Sequence, residues 1–237
     1  MKSEKLQTKI NKYFTIFTIC IITTLSVIIG LCSSYKLQAE TGENLADTAR
    51  QISMQLDQFM WNHYHQLDLL KAADVLVTDD SYQITSTLIN QLHDSFPSFS
   101  WVGVTDADGI VKASSGNILL DSDISERPVF IQGAKGDFIG DVHEALLLSD
   151  LLPNPANEPL RFVDISSPLF DQNGDFKGVL AAHLNWDWAQ ERVSMTTESF
   201  RDSQKMEVLV LSKDHDVLLG PKKLIGASLV QTMAKTD

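Results

Sequence analysis

The chain has 237 residues, of which 43% are hydrophobic and 21% charged. That is too apolar for a disordered protein and too poor in Gly and Pro for a fibre, and the length admits one domain or two small ones. The net charge of −12 argues against a nucleic-acid partner, because neutralising phosphates takes clustered Lys and Arg.

The charge is unevenly spread. Residues 1–36 carry Lys2, Lys5, Lys9, Lys12 and Lys36 against Glu4 alone, while the rest of the chain is strongly acidic. Within the basic part lies an uncharged run, Tyr13 to Tyr35, which as a helix reaches about 34 Å against a bilayer core of roughly 30 Å. Its Thr and Ser hydroxyls can bond back to helix carbonyls. A cleaved signal peptide fits less well, since its apolar region runs roughly 7–15 residues and ends at a small-x-small site. Here Ser33, Ser34 and Ala39 make a poor site, and Leu31 before Cys32 is too large for a lipoprotein signal. The reading is an uncleaved membrane anchor: residues 1–12 cytoplasmic, 13–35 spanning, and the acidic remainder outside. Both cysteines, Cys20 and Cys32, fall in the span, which leaves the exported part without a thiol for a disulfide, a metal or a nucleophile.

Beyond the span, Leu45, Ala49, Ile52, Leu56, Phe59, His63, Leu67 and Leu70 recur about every 3.6 residues, the period of one helix face. This predicts a long stalk helix over 36–76, either packing on the module that follows or pairing with its copy in a homodimer. His63 and His65 point to different faces. A second helix is predicted from about Tyr82 to Asp94, stopped by Phe96-Pro97. Strands follow at Trp101–Val104 and Ile110–Ala113 around an Asp106-Ala107-Asp108-Gly109 turn. A stronger hairpin signal is Phe162–Phe170 and Phe176–Leu184 about Asp171-Gln172-Asn173-Gly174. Between the strand pairs, about Gly116 to Pro159 shows no regular pattern, and a stretch that long in a compact domain is more often a binding region than idle loop. Asp187 to Gln204 reads as a connecting helix.

Val102–Val111 can be laid on Val208–Val217 as an imperfect repeat, each an apolar run, an acidic turn and a returning strand. The residues after Glu207 are too few to complete a second module, so the expectation is the front portion of a longer protein. The predicted organisation is a module at 77–190 and, at 191–237, a connecting helix with the start of a second, incomplete module.

Several runs are similar to a known family: Trp101-Val-Gly-Val-Thr-Asp-Ala-Asp-Gly, Asp123-Ile-Ser-Glu-Arg127-Pro128-Val-Phe130, Gly140-Asp141-Val-His143-Glu-Ala, Arg161-Phe-Val-Asp164-Ile-Ser-Ser-Pro168 and Gly178-Val-Leu-Ala-Ala-His183-Leu-Asn-Trp186-Asp-Trp188. With the order of anchor, long helix and antiparallel module, they resemble the double Cache sensors of bacterial receptors, in the variant carried by diguanylate cyclases. The resemblance covers roughly residues 10–225. It implies an α+β fold with a PAS-like antiparallel sheet, a membrane-distal module that binds a small organic ligand, and an output domain elsewhere in the protein. No Gly-Gly-Asp/Glu-Glu-Phe cyclase motif or histidine-kinase core is present in this chain, so the chain itself is not expected to be an enzyme, and no cofactor is expected.

The resemblance also implies residue roles. Arg127 would hold a ligand carboxylate, a task suited to its two-pronged guanidinium; the alternative is an ion pair with Asp123 or Glu126 that pins the loop. Asp164 matches an acidic position that binds a ligand amine, or caps a strand end. His183 stands where the amino-acid-binding pattern has a second Asp, Val129 where it has Trp, and Phe130 where it has a hydrogen-bonding Tyr. Those departures disfavour a free α-amino acid. Trp101 and Phe130 supply aromatic walls or plain core, and Trp186 and Trp188 are expected to pack on the connecting helix. His143, with Glu144, Asp141 and His183, invites a metal reading. No pair has the spacing that puts two ligands on one helix face, so no metal site is expected, and His143 joins the ligand-binding set. The competing classes are a ligand-free scaffold and a tethered hydrolase, the latter disfavoured because no Gly-x-Ser-x-Gly elbow is present.

Overall fold

The computed structural model describes residues 2–144, 148, 151–152, 160–204 and 206–228. The chain divides into two compact units, Met1–Gln51 and Ile52–Asp237. One helix, α1 (Lys2–Lys71), contributes to both. In the first unit it includes a segment long and apolar enough to cross a membrane. Ile19, Ile22, Leu25, Val27 and Ile29 stand exposed there. The hydroxyls of Thr15, Thr18, Thr23 and Thr24 donate to the carbonyls of Asn11, Phe14, Ile19 and Cys20. These bonds satisfy the hydroxyls within the helix itself.

In the second unit the apolar stripe of α1 becomes a packing face. Ile52, His63 and Leu67 are buried, while Met54, Trp61 and Leu69 on other faces are exposed. Two further helices follow, α2 (Val75–Thr78) and α3 (Gln83–Ser95). The Asp79 carboxylate accepts the Ile84 and Thr85 amides at 2.8 and 3.1 Å and so caps the first turn of α3.

The sheet is built from β1 (Phe99–Thr105), β2 (Val111–Ser114), β3 (Phe138–Ile139), β4 (His143–Glu144), β5 (Arg161–Phe170) and β6 (Phe176–Asn185). The strand order is β2-β1-β6-β5-β3, with β4 also on β5, and every pairing is antiparallel. The β5–β6 hairpin turns where expected. Asp171 Oδ1 accepts the Asn173 and Asp175 amides at 2.9 and 3.0 Å, and Gly174 takes φ = 85°, a conformation glycine adopts without a Cβ clash. The stretch expected to be irregular is partly ordered: it carries α4 (Pro128–Gly133) as well as β3 and β4. Residues 145–147, 149–150 and 153–159 of that stretch lie outside the described residues. Strands of two residues are too short to show a period, which is why the pattern hid them.

Alternation along β1, β5 and β6 gives the sheet two different faces. Val102, Val104, Val163, Ile165, Leu180, Ala182 and Leu184 form one core with Leu67, Leu76 and Ile89 of the helices. Trp101, Val179 and Ala181 pack on the other side with Ile124, Val129 of α4 and Leu148. Helix α5 (Asp187–Gln204) has the predicted limits. Trp188 on it is buried and stacks on Phe59 of α1 at a centroid distance of 4.0 Å, with Trp186 edge-on to Trp188. The two tryptophans thus seat α5 against α1.

The internal repeat is geometric as well as sequential. Strands β7 (Val210–Leu211) and β8 (Val217–Leu219) form a separate hairpin in which Val210 faces Leu219 and Leu211 faces Val217. In the first copy Val104 faces Ala113 and Thr105 faces Val111, the same register 106 positions earlier, with an irregularity at the matching step. The turns match too. Asp106 Oδ1 accepts the amides of Asp108 and Ile110, and Ser212 Oγ accepts those of Asp214 and Asp216.

His63 is buried on the helix side with a defined tautomer. Its Nδ1–H donates to the Phe59 carbonyl at 2.9 Å, leaving Nε2 to accept from the Ser98 hydroxyl at 2.5 Å. Burial holds its pKa below 6.5, outweighing the bond to Phe59, which pulls the other way. The unfolded chain therefore binds the proton more readily, and stability is complete above about pH 6.5 and falls as pH drops below it. Unfolding midpoints taken between about pH 8 and about pH 5.5 should show this slope. His63→Gln should flatten it; an unchanged slope in that variant would place its origin elsewhere.

Candidate functional site

The ladder registers bring distant residues into rows. Asp164 on β5 faces His183 on β6, and His183 faces Trp101 on β1. Ser166 faces Ala181 in the next row of the same face. His143 on β4 faces Phe162, two residues before Asp164. Asp164, Ser166 and His183 are buried at 5%, 1% and 7% exposure, so a polar set sits on a face otherwise packed with Trp101, Val179 and Ala181.

Six buried side-chain polar atoms lack a hydrogen-bond partner among the described residues, and three of them are Asp164 Oδ1, Ser166 Oγ and His183 Nδ1. Desolvating such a group without a partner costs about 1–3 kcal/mol, more for a charged one. Their clustering in two adjacent rows is therefore a cost borne locally. His183 Nδ1 approaches Asp164 Oδ1 at 2.5 Å without the alignment of a hydrogen bond, and His143 Nε2 lies 3.4 Å from the same oxygen. His143 Nδ1 is 3.2 Å from the Asp141 carbonyl. The His143 and His183 rings have centroids 6.2 Å apart.

The walls are formed by the neighbouring elements. The Trp101 ring lies 5.5 Å from His183, and its indole N–H donates to the Ile118 carbonyl at 2.9 Å. A Cβ at Gly103 would overlap the six-membered ring of that indole, so the glycine is what allows Trp101 to lie flat along β1. Phe162 meets His183 edge-on at 6.0 Å. Helix α4 covers the row below: a Cβ at Gly133 would come within 2.6 Å of Ser166 Oγ and 2.7 Å of Val179 Cγ1. Phe130 is half-buried in the same packing as Val129. The Gly140 amide donates to the Asp164 carbonyl at 2.8 Å, which fixes the segment between β3 and β4 beside the cluster.

The structure thus gathers Asp164, His183, His143 and Trp101. Asp164 stands in mid-strand and is not a strand-end cap. Arg127 is exposed immediately before α4. Among the described interactions it pairs with neither Asp123 nor Glu126, nor does it touch Asp164 or His183. Asp123 instead accepts the Ser125 amide at 2.8 Å, which lowers its pKa. A cavity of about 890 Å³ lies elsewhere, between α5 and the β7–β8 hairpin, lined in part by Arg161, Trp186, Glu207 and Leu219. It contains none of the six predicted residues.

Two features escaped the sequence reading. One is Ser166, whose signal in the sequence is a Ser-Ser pair within an apolar strand. The other is a clamp on α1: the Tyr64 hydroxyl and Lys71 ammonium both donate to the Asp137 carboxylate at 2.8 Å. The bond to Asp137 pushes the Tyr64 pKa up to about 12. For Asp137, burial pulls upward, but hydrogen bonds from Lys71, Ser167 and Tyr64 leave its pKa lowered. These partners lie 66 and 73 positions apart, beyond any local pattern.

The helix-backed antiparallel sheet is a Cache-type fold, shared with solved domains of bacterial receptors. The chain aligns with the sensor domain of the Vibrio cholerae histidine kinase DctB over 84% of its own length and 75% of that chain, at 13% identity and a TM-score of 0.59. It aligns with the ligand-binding domain of the Pseudomonas aeruginosa amino acid chemoreceptor PctC, solved with GABA, over 81% and 80%, at 15% identity and a TM-score of 0.61. An extracellular ligand binding receptor from Desulfohalobium retbaense matches 77% of the chain at 17% identity and a TM-score of 0.50, and the chain spans 34% of that protein. No protein-family model and no curated protein sequence matches the chain.

Removing an unpartnered buried hydroxyl relieves its desolvation cost. Ser166→Ala should therefore leave the ligand-free protein as stable as the parent or raise its stability by about 1 kcal/mol. Chemical denaturation measures this, and a loss above that amount would show that Ser166 is already satisfied.

Proposed function

We propose that the chain is the input part of a transmembrane receptor, with a periplasmic Cache module that senses a small organic solute. The span holds it in the plasma membrane with the N-terminus cytoplasmic. The observation that supports this most directly is the cluster of buried polar atoms without hydrogen bonds at Asp164, Ser166 and His183, within a fold shared with ligand-binding domains. Groups desolvated at a cost and left unbonded are groups that a solute can satisfy. Arg127 supplies a carboxylate fork from the start of α4, and Trp101 and Phe130 supply apolar wall. In this reading the chain itself catalyses nothing.

The mechanism is population shift. A solute that bonds Asp164 and His183 and draws Arg127 inward favours the state in which α4 and the segment before β3 close on the sheet. It can move that balance only by its differential affinity for the two states. Asp137 lies in that segment and is bonded to Tyr64 and Lys71, so closure pulls on α1. Signal then passes along the helix that leads to the span.

Titration calorimetry of the purified chain against a library of small carboxylates and amines is the direct test. A binder is expected, and Arg127→Ala should weaken it by about 10-fold or more, as loss of a charge-assisted pair implies. An unchanged affinity would remove Arg127 from the site. The finer reading is a homodimer through α1, using exposed Met54, Trp61 and Leu69, with diguanylate cyclase output. Sedimentation as a monomer would remove the first, and a downstream reading frame without a Gly-Gly-Asp/Glu-Glu-Phe motif the second.

A further inference from the structure

We infer that His143 Nε2, Asp164 Oδ1 and His183 Nδ1 form a three-ligand site for a divalent transition metal such as Zn²⁺. One ligand atom from each residue lies within 4.8 Å of the other two. The geometry is assembled across β4, β5 and β6, so the spacing argument that disfavoured a metal, which concerns ligands on one helix, does not apply to it. Two imidazoles and one carboxylate are a donor set that suits Zn²⁺ and leaves a position open for water or a solute.

Three features point to a cation here. First, Asp164 Oδ1 and His183 Nδ1 are buried and converge to 2.5 Å, yet neither has an aligned hydrogen bond among the described residues. Second, the tautomer of His143 is set from outside: its Nδ1–H donates to the Asp141 carbonyl at 3.2 Å, the outer bond that metal-bound histidines typically make. Its Nε2 lone pair then faces the Asp164 carboxylate at 3.4 Å. Two electron pairs so placed repel each other unless a proton or a metal ion stands between them. Third, 3.4 Å is close to the roughly 3.3 Å between adjacent ligands on a tetrahedral ion with bonds of about 2.0–2.1 Å. The His183–Asp164 pair, at 2.5 Å, opens by rotation of the carboxylate about its own bonds. His143 is partly exposed, at 39% of its side chain, which gives the ion a way in, while Asp164 and His183 form the dry inner side.

The inference goes beyond solute sensing, because metal binding is measurable with no organic molecule present. The test uses the full chain in detergent micelles, stripped with a chelator and titrated with Zn²⁺ by calorimetry and with Co²⁺ by visible absorption. One equivalent of Zn²⁺ and the d–d bands of a tetrahedral Co²⁺ centre are expected. His143→Ala, at the exposed edge where folding is least at risk, should weaken Zn²⁺ binding by about 10-fold or more, and Asp164→Asn should do the same. His65→Ala, on an exposed part of α1, should leave it unchanged. Failure of the parent chain to bind either ion, or binding that survives both His143→Ala and Asp164→Asn, would overturn the site. So would NMR showing a proton shared by His143 and Asp164 that Zn²⁺ does not displace. An organic solute that binds the stripped chain would leave the sensing reading standing where the metal fails; Zn²⁺ bound with no solute partner would do the reverse.

Discussion

The ladder between β5 and β6 is the constraint on which the rest of the molecule depends. Its register sets Asp164 opposite His183 and Ile165 opposite Ala182. One choice of pairing therefore decides both the polar row and the apolar row behind it. A slip by one residue would turn Ile165 and Leu180 toward α4 and Asp164 toward α3, since side chains alternate along a strand. The Asp171–Gly174 turn fixes that register locally, and the dense packing of Val163, Ile165, Leu180, Ala182 and Leu184 against the helices fixes it globally. Local and tertiary preferences agree, which is what allows the opposite face to carry groups that oppose folding.

Those groups are affordable because the sheet has two faces of unequal duty. The helix-side core buries Ile89, Phe99, Val102, Ile165 and Leu184 almost completely. Each fully buried side chain of this kind contributes about 1.5–3 kcal/mol of transfer free energy. Leaving Asp164 Oδ1, Ser166 Oγ and His183 Nδ1 without hydrogen bonds costs about what two or three such side chains contribute. A fold whose stability rests on one face can carry such groups on the other.

Much of this was legible in the sequence, and the limits are instructive. The β5–β6 hairpin announces itself through Asp171 to Gly174, and α5 begins and ends where its pattern does. The repeat was visible only as a faint likeness, because just a few apolar positions and one turn acid coincide. Its identity lies in the register and in side-chain-to-amide bonds, which Asp106 and Ser212 supply with different chemistry. The strands β3 and β4 were invisible because each holds two residues and owes its existence to the free edge of β5. His143 was named from its neighbours in sequence, yet its partner Asp164 is 21 positions away and comes to it only through that edge.

The Asp137 clamp shows how the site and the long helix are joined. Asp137 lies between α4, which covers Ser166, and β3, which pairs with Ser166 and Ile165. Its carboxylate is held by Tyr64 and Lys71, on the last two turns of α1. Lys71 is half-buried and Asp137 exposed, at 27% and 42%, so solvent screens the pair much as it does a surface ion pair. A phenol and an ammonium on the same carboxylate also resist a shift that would lengthen either bond. Any change that moves α4 relative to β5 must therefore either break two charge-assisted bonds or carry the end of α1 with it. Solvent screening reduces the worth of each bond, yet two bonds on one carboxylate still couple a displacement of α4 to the end of α1.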